Sequence, residues 1–226
     1  MVEVVAWDFD GVLNRNIDDG RFLWARDFER DTGRSLDGFV RATFSRDWRE
    51  VMTGREDLRD RVGEWATETG YAQGADALID YMFTRDALPD PVTGAMLDAL
   101  SAGGIRQVIA TNNEPRRAAY IEDEMGFGPR VERVFASGRM GVAKPDPAYF
   151  SAITDALGVA PDDMLLIDDL AANVDAARAG GWQAIRFVQD GYARLKRDLA
   201  RLGLPCDATR AENSRRRPSP CSDPSN

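Results

Sequence analysis

The chain has 226 residues, enough for one sizeable hydrophobic core and a small second lobe. It carries 29 Lys and Arg against 38 Asp and Glu, a formal net charge of −9, which disfavours binding to nucleic acid or to anionic membranes. It contains no histidine, so histidine-ligated zinc sites and Ser-His-Asp triads are excluded. We therefore expect any enzymatic chemistry to depend on carboxylates.

The cysteines and the apolar segments bear on the cellular compartment. Cys206 and Cys221 both lie near the end of the chain, where they cannot cross-link the core or form a metal site by themselves. No apolar run approaches the roughly 18 residues of a transmembrane helix. The first residues include Glu3, which is not typical of a signal peptide. These features predict a cytoplasmic protein.

Short apolar segments alternate with amphipathic segments through most of the chain. Buried strands are predicted at 2–7, 106–110, 133–136, 164–167 and 183–188. Between them, helical spacing predicts helices that end near Gly103, Gly126 and Gly158, and a last amphipathic helix begins near Tyr192. This alternation is typical of a parallel sheet covered on both faces. The predicted fold class is therefore α/β, with a doubly wound, Rossmann-like parallel sheet.

Residues 15–86 interrupt the alternation and contain no convincing strand. Apolar residues at helical spacing predict helices around Phe22, Ala25 and Phe28, around Phe39 and Phe44, at 58–66 and at 78–82. Three of the five tryptophans, Trp24, Trp48 and Trp65, lie in this segment, and the simplest interpretation is that they form its own core. We predict an inserted α-helical cap at 15–86, between core segments 1–14 and 87–204.

The segment 205–226 has a different composition from the rest of the chain. It holds four of the eleven prolines and no Leu, Ile, Val, Met or aromatic residue. Such a segment cannot bury enough apolar surface to offset the conformational entropy that folding costs. A disordered tail is predicted, in which Arg215, Arg216 and Arg217 are interpreted as a solvated basic cluster.

Polar residues cluster where four of the predicted strands end. Asp8 and Asp10 follow the first strand, Thr111 and Asn112 the second, Lys144 lies in the loop after the third, and Asp168 and Asp169 follow the fourth. In a doubly wound sheet the carboxyl ends of the strands face the ligand crevice. We therefore expect these side chains to converge on one site.

The residue types in this cluster predict phosphoryl transfer. Asp8, Asp10 and a carboxylate from the fourth strand would repel one another and raise their pKa values unless a cation were present. Mg²⁺ prefers one or two carboxylates together with water and substrate phosphate oxygens. Lys144 offers a compact positive charge, Thr111 a hydroxyl, and the helix that begins near Asn113 backbone N–H groups suited to an anion. Together they describe a Mg²⁺-dependent phosphoryl-transfer site.

These motifs, in this order, resemble those of the phosphatase branch of the haloacid dehalogenase superfamily. The four motifs are matched by residues 8–13 (DFDGVL), 111–112 (TN), 144–146 (KPD) and 167–180, which contain IDD, Asn173 and ARAG. The match spans about residues 2–190. The helical insert after the first motif resembles the type-one cap of this superfamily. Each motif alone has a structural explanation, such as a turn or a helix cap, and the resemblance depends on their combination.

The resemblance implies a role for each matched residue. Asp8 would attack phosphorus and form an aspartyl-phosphate. Asp10 would protonate the leaving alcohol and then deprotonate the attacking water. Thr111, Lys144 and the backbone N–H of Asn112 would bind the transferring phosphoryl group.

The resemblance also implies a metal site for Mg²⁺. The metal ligands would be the side chain of Asp8, the backbone carbonyl of Asp10, and the side chain of Asp168 or Asp169. The sequence leaves open which of the last two is the direct ligand. The metal would neutralise charge on the nucleophile and on the phosphate, which otherwise repel each other.

The sequence leaves alternative functions open. Dehalogenation is disfavoured, because dehalogenases of this superfamily lack an acid at the position of Asp10. A sugar-phosphate mutase with the same motifs, or a non-catalytic binding protein on the same scaffold, remains an alternative to a phosphatase. A small phosphorylated metabolite is the expected partner, with no nucleic acid and no membrane, for a monomer or homodimer. Residues 14–21, Arg46, Trp48 and Arg55 are candidates to face the substrate.

Overall fold

The computed structural model describes residues 1–45 and 47–206. Arg46, Cys221 and the predicted tail from residue 207 onward lie outside the described residues. The strands in chain order are β1 (Val4–Trp7), β2 (Ile17–Asp18), β3 (Arg21–Phe22), β4 (Arg106–Thr111), β5 (Arg133–Ala136), β6 (Met164–Asp168) and β7 (Gln183–Arg186). The helices are α1 (Phe28–Thr32), α2 (Leu36–Thr43), α3 (Trp48–Met52), α4 (Leu58–Thr69), α5 (Gly74–Arg85), α6 (Pro91–Ala102), α7 (Pro115–Asp123), α8 (Ser137–Met140), α9 (Pro147–Leu157), α10 (Ala171–Ala179) and α11 (Tyr192–Arg201).

Five parallel strands form the central sheet, in the order β5-β4-β1-β6-β7. β1 lies in the middle, and Trp7 is opposite Ile109 of β4 on one side and Ile167 of β6 on the other. All five strands predicted from the apolar runs are confirmed, with small shifts at their ends. Because β1 lies between β4 and β6, the residues that follow these three strands meet at one edge of the sheet.

Helices cover both faces of the sheet. Val5 and Trp7 of β1 point into one hydrophobic cluster, closed by α6, α7 and α11, and Val4 and Ala6 point into another, closed by α9 and α10. Burial on both faces explains why β1 is a continuous apolar run and not an alternating one. The doubly wound α/β class is confirmed. Across the described ranges, no helix combines the length and the apolar character needed to cross a bilayer.

Helices α1 to α5 form a lobe with a hydrophobic cluster of its own. Trp24 and Trp65 are buried in this cluster, and Trp48 packs against it half-buried. The interpretation as core residues of the lobe is therefore confirmed for Trp24 and Trp65, whereas Trp48 lies at the edge of that core. The buried residues of the cluster run from Trp24 to Phe83. The cap bounds 15–86 stay a prediction.

The segment before α1 is a hairpin followed by a short 3₁₀ helix (Leu23–Ala25), and not the single predicted helix. β2 and β3 pair antiparallel, and Asp19 and Gly20 join them with positive φ angles of 48° and 72°. Two positive φ angles are typical of a type I′ turn, which Asp-Gly favours. Phe22 belongs to β3 and is 44% exposed, and α1 begins only at Phe28. The prediction that Phe22, Ala25 and Phe28 share a helix in a lobe without strands was wrong.

The lobe approaches the core closely beside the sheet edge. A Cβ at Gly54 would lie only 2.1 Å from the carbonyl oxygen of Gly138. Next to this contact, Ser137 Oγ donates a hydrogen bond of 2.6 Å to the carbonyl of Met52. A side chain at position 54 would therefore force the lobe and the core apart.

We expect Gly54→Ala to loosen the contact between lobe and core. Gly70→Ala is the matched control, because Gly70 has a similar φ (64° against 71°) but no heavy atom within 4 Å of the place that a Cβ would take. Both variants carry backbone strain of about 1–3 kcal/mol, and only Gly54→Ala adds a clash. Amide hydrogen exchange measures the difference: exchange should rise around residues 52–55 and 137–141 in Gly54→Ala alone. Equal exchange in both variants would contradict this close approach.

Candidate active site

The structure brings all four sequence motifs to one edge of the sheet. Asp8 follows β1, Thr111 ends β4 and Asp168 ends β6, and these are the three neighbouring strands at the centre of the sheet. Lys144 reaches them from the loop before α9. Asp8, Thr111, Lys144 and Asp168 are all buried. The site therefore has a charged, water-poor interior.

Lys144 is the cation at the centre of this cluster. Its Nζ lies 3.0 Å from Asp8 Oδ1 and 2.6 Å from Asp168 Oδ2, and it donates to the carbonyl of Ala110 at 2.7 Å. Burial alone would lower the pKa of Lys144, but the charges of Asp8 and Asp168 outweigh it and raise the pKa above its usual value. The peptide bond between Lys144 and Pro145 is cis.

Asp8 has one engaged oxygen and one open oxygen. Oδ1 accepts the backbone N–H of Phe9 at 2.8 Å and faces Lys144, whereas no described residue donates to Oδ2. Burial raises the pKa of Asp8 well above its usual value; Lys144 opposes this shift, and the carboxylates of Asp168 and Asp169 add to it. A cation on the open side would favour the ionised, nucleophilic form of Asp8.

The adjacent carboxylates of Asp168 and Asp169 have different environments. Asp168 is fully buried, and its oxygens accept hydrogen bonds from Asn173 Nδ2 (3.0 and 3.1 Å), the Leu170 N–H (2.9 Å) and Lys144. Asp169 is half-buried, and no other described residue donates to its carboxylate. Burial, followed by the charge of Asp168, raises the pKa of Asp169. Of the two, Asp169 has the oxygens that are available to a metal ion.

The carboxylates of the site fit a divalent cation. Asp8, Asp168 and Asp169 each offer an oxygen, and these oxygens all lie within 4.8 Å of one another. Gly11 makes room for this arrangement, because its φ is +80° and a Cβ there would lie 2.9 Å from Asp169 Oδ2. Three carboxylates face the single ammonium of Lys144. Hard oxygen donors with unbalanced negative charge are the donor set that Mg²⁺ prefers.

Asp10 lies beside the carboxylate cluster and is held by side-chain amides. Its Oδ1 accepts from Asn14 at 3.3 Å and Asn16 at 2.7 Å, and its Oδ2 accepts from Asn113 at 2.9 Å. Arg117 Nη2 lies 3.9 Å from Oδ1. The carboxyl group is thus fixed in orientation, and it lies outside the group of three carboxylates that converge on one point.

Thr111 and Asn112 connect the second motif to the rest of the site. Thr111 Oγ1 accepts a hydrogen bond of 2.8 Å from Asn113 Nδ2. The Asn112 side chain binds the backbone of Lys144: Nδ2 donates to the carbonyl at 2.8 Å, and Oδ1 accepts the N–H at 2.9 Å. The side chain of Asn112 therefore positions the lysine loop, so that any contact with phosphate would fall to its backbone N–H.

The N-terminus of α7 differs from what the sequence predicts. Its backbone N–H groups were expected to suit an anionic ligand. Instead the Glu114 carboxylate caps the helix and accepts the N–H of Arg116 at 2.7 Å and of Arg117 at 2.6 Å. The acidic side chain occupies these donors because it supplies the negative charge that a helix N-terminus favours.

Two charged residues near Asp10 were not predicted from the sequence. Arg117 of α7 is buried, donates to the carbonyls of Phe83 (3.1 Å) and Asp86 (3.4 Å), and lies over the Phe83 ring at 5.2 Å. Asp86 accepts the backbone N–H of Trp24 at 3.0 Å. One feature of the sequence indicates Arg117: it precedes Ile121 by four residues and so shares the buried face of its helix. No comparable pattern marks Asp86.

A cavity of about 180 Å³ lies between the lobe and the sheet edge, with Asp10 in its wall. Of the residues that the sequence suggests near substrate, Asn16 and Trp48 line it. Arg55 does not line the cavity; it pairs instead with Glu50 at 3.1 Å. The cavity thus opens from the reacting centre toward the lobe.

The chain is similar over most of its length to known hydrolases. The sequence profile described as haloacid dehalogenase-like hydrolase matches residues 2–181. Phosphatase MT3486 of Mycobacterium tuberculosis is 29% identical over 221 residues, which cover 91% of this chain and 97% of that protein. A phosphoglycolate phosphatase of Rhodospirillum rubrum is 32% identical over 129 residues, 54% of this chain and 52% of that protein, so that the match spans about half of the relative.

A solved structure shares the fold. It is a haloacid dehalogenase-family enzyme from Bacteroides thetaiotaomicron, crystallised with magnesium and inorganic phosphate. It matches with a TM-score of 0.67 at 17% identity, and the match covers 82% of this chain and 93% of that one. At this identity the likeness establishes the shared α/β architecture.

We expect Asp86 to make stability depend on pH. Burial raises the pKa of Asp86 to about 7 from the usual 3.8, so the contribution of this group to stability is lost as pH rises through about 7. Asp86→Asn keeps the acceptor for the Trp24 N–H and removes the charge. Its free energy of unfolding relative to wild type should rise by on the order of 2 kcal/mol between about pH 5 and about pH 8.

Urea unfolding of wild type and of Asp86→Asn at the lower and at the higher pH measures this change in the free energy of unfolding. Asp155→Asn serves as control, because Asp155 is an exposed aspartate on α9. A pH-independent difference between Asp86→Asn and wild type would show that Asp86 is ionised over the whole range.

Proposed function

The chain belongs to the haloacid dehalogenase-like hydrolases, in their phosphatase branch, and we propose that it hydrolyses small phosphate monoesters through an aspartyl-phosphate on Asp8, with Mg²⁺ as cofactor. One observation carries the proposal: Asp8 faces the ammonium of Lys144 through one oxygen, has a second oxygen to which no described residue donates, and belongs to a carboxylate cluster with Asp168 and Asp169. The phosphatase relative that aligns along the chain, and the neighbour crystallised with magnesium and phosphate, support it.

Asp8 and Asp10 divide the chemistry between them. Asp8 Oδ2 attacks phosphorus, the bond between phosphorus and the ester oxygen breaks, and Asp10 gives its proton to the leaving alkoxide. Asp10 then takes a proton from a water molecule, whose oxygen attacks phosphorus. The bond between phosphorus and Asp8 breaks, which releases inorganic phosphate and restores both carboxyl groups. The amides around Asp10 hold it in place for both transfers.

The remaining motif residues bind charge at the reacting centre. The side chains of Asp8 and Asp169 and the backbone carbonyl of Asp10 would hold Mg²⁺, which neutralises charge on the nucleophile and the phosphoryl oxygens. Lys144 and the hydroxyl of Thr111 would donate to the same phosphoryl oxygens. The side chains of Asp168 and Asn112 hold Lys144 in place from two sides, and the backbone N–H of Asn112 would contact the phosphoryl group.

The nucleophile is tested by Asp8→Asn with p-nitrophenyl phosphate, in Mg²⁺ and in EDTA. The amide cannot form the acyl-phosphate, so we expect metal-dependent phosphate release to fall by at least about a thousandfold. Asp155→Asn, at an exposed position of α9 outside the site residues, is the control and should retain wild-type activity. Wild-type activity in Asp8→Asn would refute the assignment of the nucleophile.

The metal ligand is tested by comparing Asp169→Asn with Asp168→Asn. We expect Asp169→Asn to raise the Mg²⁺ concentration for half-maximal activity by about 10- to 100-fold, with little change in the stability of the metal-free protein. Asp168→Asn removes a partner of buried Lys144 and should lower the free energy of unfolding by about 3 kcal/mol. Mg²⁺ titrations of activity and urea unfolding in EDTA separate the two effects, and the reverse pattern would make Asp168 the ligand.

A further inference from the structure

The cavity between the lobe and the sheet edge is mainly apolar. Five of the side chains that line it are Trp24, Phe44, Trp48, Met52 and Phe83. The cavity measures about 180 Å³, and a protein cavity of roughly 150 Å³ is large enough to hold benzene. Asp10, the proposed proton donor to the leaving alcohol, lies in the wall of this cavity. The carbon skeleton of that alcohol would therefore lie in the cavity.

The ionisable groups around this cavity are mostly carboxyl groups. Asp10, Asp86 and Glu114 line it, and Arg117 is the one cation among the described lining residues. The Arg117 guanidinium is already engaged: it donates to the carbonyls of Phe83 and Asp86 and lies over the Phe83 ring. A second anionic group on the substrate would therefore meet three carboxyl groups and no uncommitted cation among the described residues.

We propose that the cavity selects phosphate monoesters of small, uncharged alcohols that carry one aromatic ring, and rejects esters whose alcohol carries a carboxylate or a second phosphate. A ring would bury apolar area against Trp48 and Phe44 and make edge and face contacts with them. A carboxylate in the same place would lose its hydration without a replacement partner. This selectivity rests on the proposed phosphatase function, because the cavity meets the proposed reacting centre at Asp10 and Asn112.

Four primary alkyl phosphates test this selectivity with wild-type enzyme in Mg²⁺. Benzyl phosphate carries the ring, 4-carboxybenzyl phosphate adds a charge to it, ethyl phosphate lacks the ring, and phosphoglycolate replaces the ring by a carboxylate. We expect kcat/KM for benzyl phosphate to exceed each of the others by about tenfold or more. Faster hydrolysis of phosphoglycolate or 4-carboxybenzyl phosphate would overturn the substrate class and leave the phosphatase function intact. Release from none of the four would overturn both.

A substitution in the wall of the cavity tests whether the cavity is responsible for the selectivity. Trp48→Leu should lower kcat/KM for benzyl phosphate about tenfold more than it lowers kcat/KM for ethyl phosphate. Tyr71→Leu is the matched control, because Tyr71 is a half-buried aromatic of the lobe that packs on Trp65, with ring centroids 5.6 Å apart, outside the cavity. An equal loss in both variants, or an equal loss for both esters, would contradict a role for the cavity.

A charge introduced at the rim tests the electrostatic part of the proposal. Phe22 lines the cavity and is 44% exposed, so Phe22→Lys places an ammonium there without disturbing the core of the lobe. We expect it to raise kcat/KM for 4-carboxybenzyl phosphate relative to benzyl phosphate by about tenfold.

Arg46→Gln should leave the ratio of kcat/KM for 4-carboxybenzyl phosphate to that for benzyl phosphate, and the rate with phosphoglycolate, unchanged. A loss of phosphoglycolate hydrolysis in Arg46→Gln would reveal an anion site and overturn the proposal.

Discussion

The buried ammonium of Lys144 joins the three central strands of the sheet. It pairs with Asp8 after β1 and with Asp168 at the end of β6, and it donates to the carbonyl of Ala110 in β4. A charge this deeply buried is tolerated because each of its three protons has an acceptor. The carboxylate of Asp169 then leaves the cluster with an excess of negative charge. That excess is the physical reason for the cation that we propose.

This arrangement depends on the parallel order of the strands. Because β4, β1 and β6 run side by side in one direction, their carboxyl ends bring the carbonyl of Ala110 and the carboxylates of Asp8 and Asp168 to the same point. The lobe contacts the core beside this edge of the sheet, at Gly54 and Gly138. Exclusion of water strengthens the interactions of Asp8 with its charged neighbours, since the local dielectric constant falls.

The two sides of the cleft have different chemical character. The sheet edge contributes charged and amide groups that are held by hydrogen bonds, as Asp10 is by Asn16 and Asn113. The lobe contributes mainly apolar rings, such as Trp48. The first side is suited to act on a phosphoryl group, and the second to discriminate between the alcohols attached to it. We therefore expect substitutions in the lobe to change the proposed selectivity without altering the charged cluster.

The sequence by itself determined the core strands, the doubly wound class and the motif residues, because burial on both faces demands apolar runs and parallel strands place their ends together. It did not predict the hairpin at Asp19-Gly20, where two positive φ angles override the helical spacing of nearby apolar residues. Nor could it choose between Asp168 and Asp169, which are adjacent and chemically identical. The tertiary structure distinguishes their environments, because the partners that engage Asp168 include Lys144, 24 residues away along the chain, and our proposal of Asp169 as the metal ligand depends on that difference.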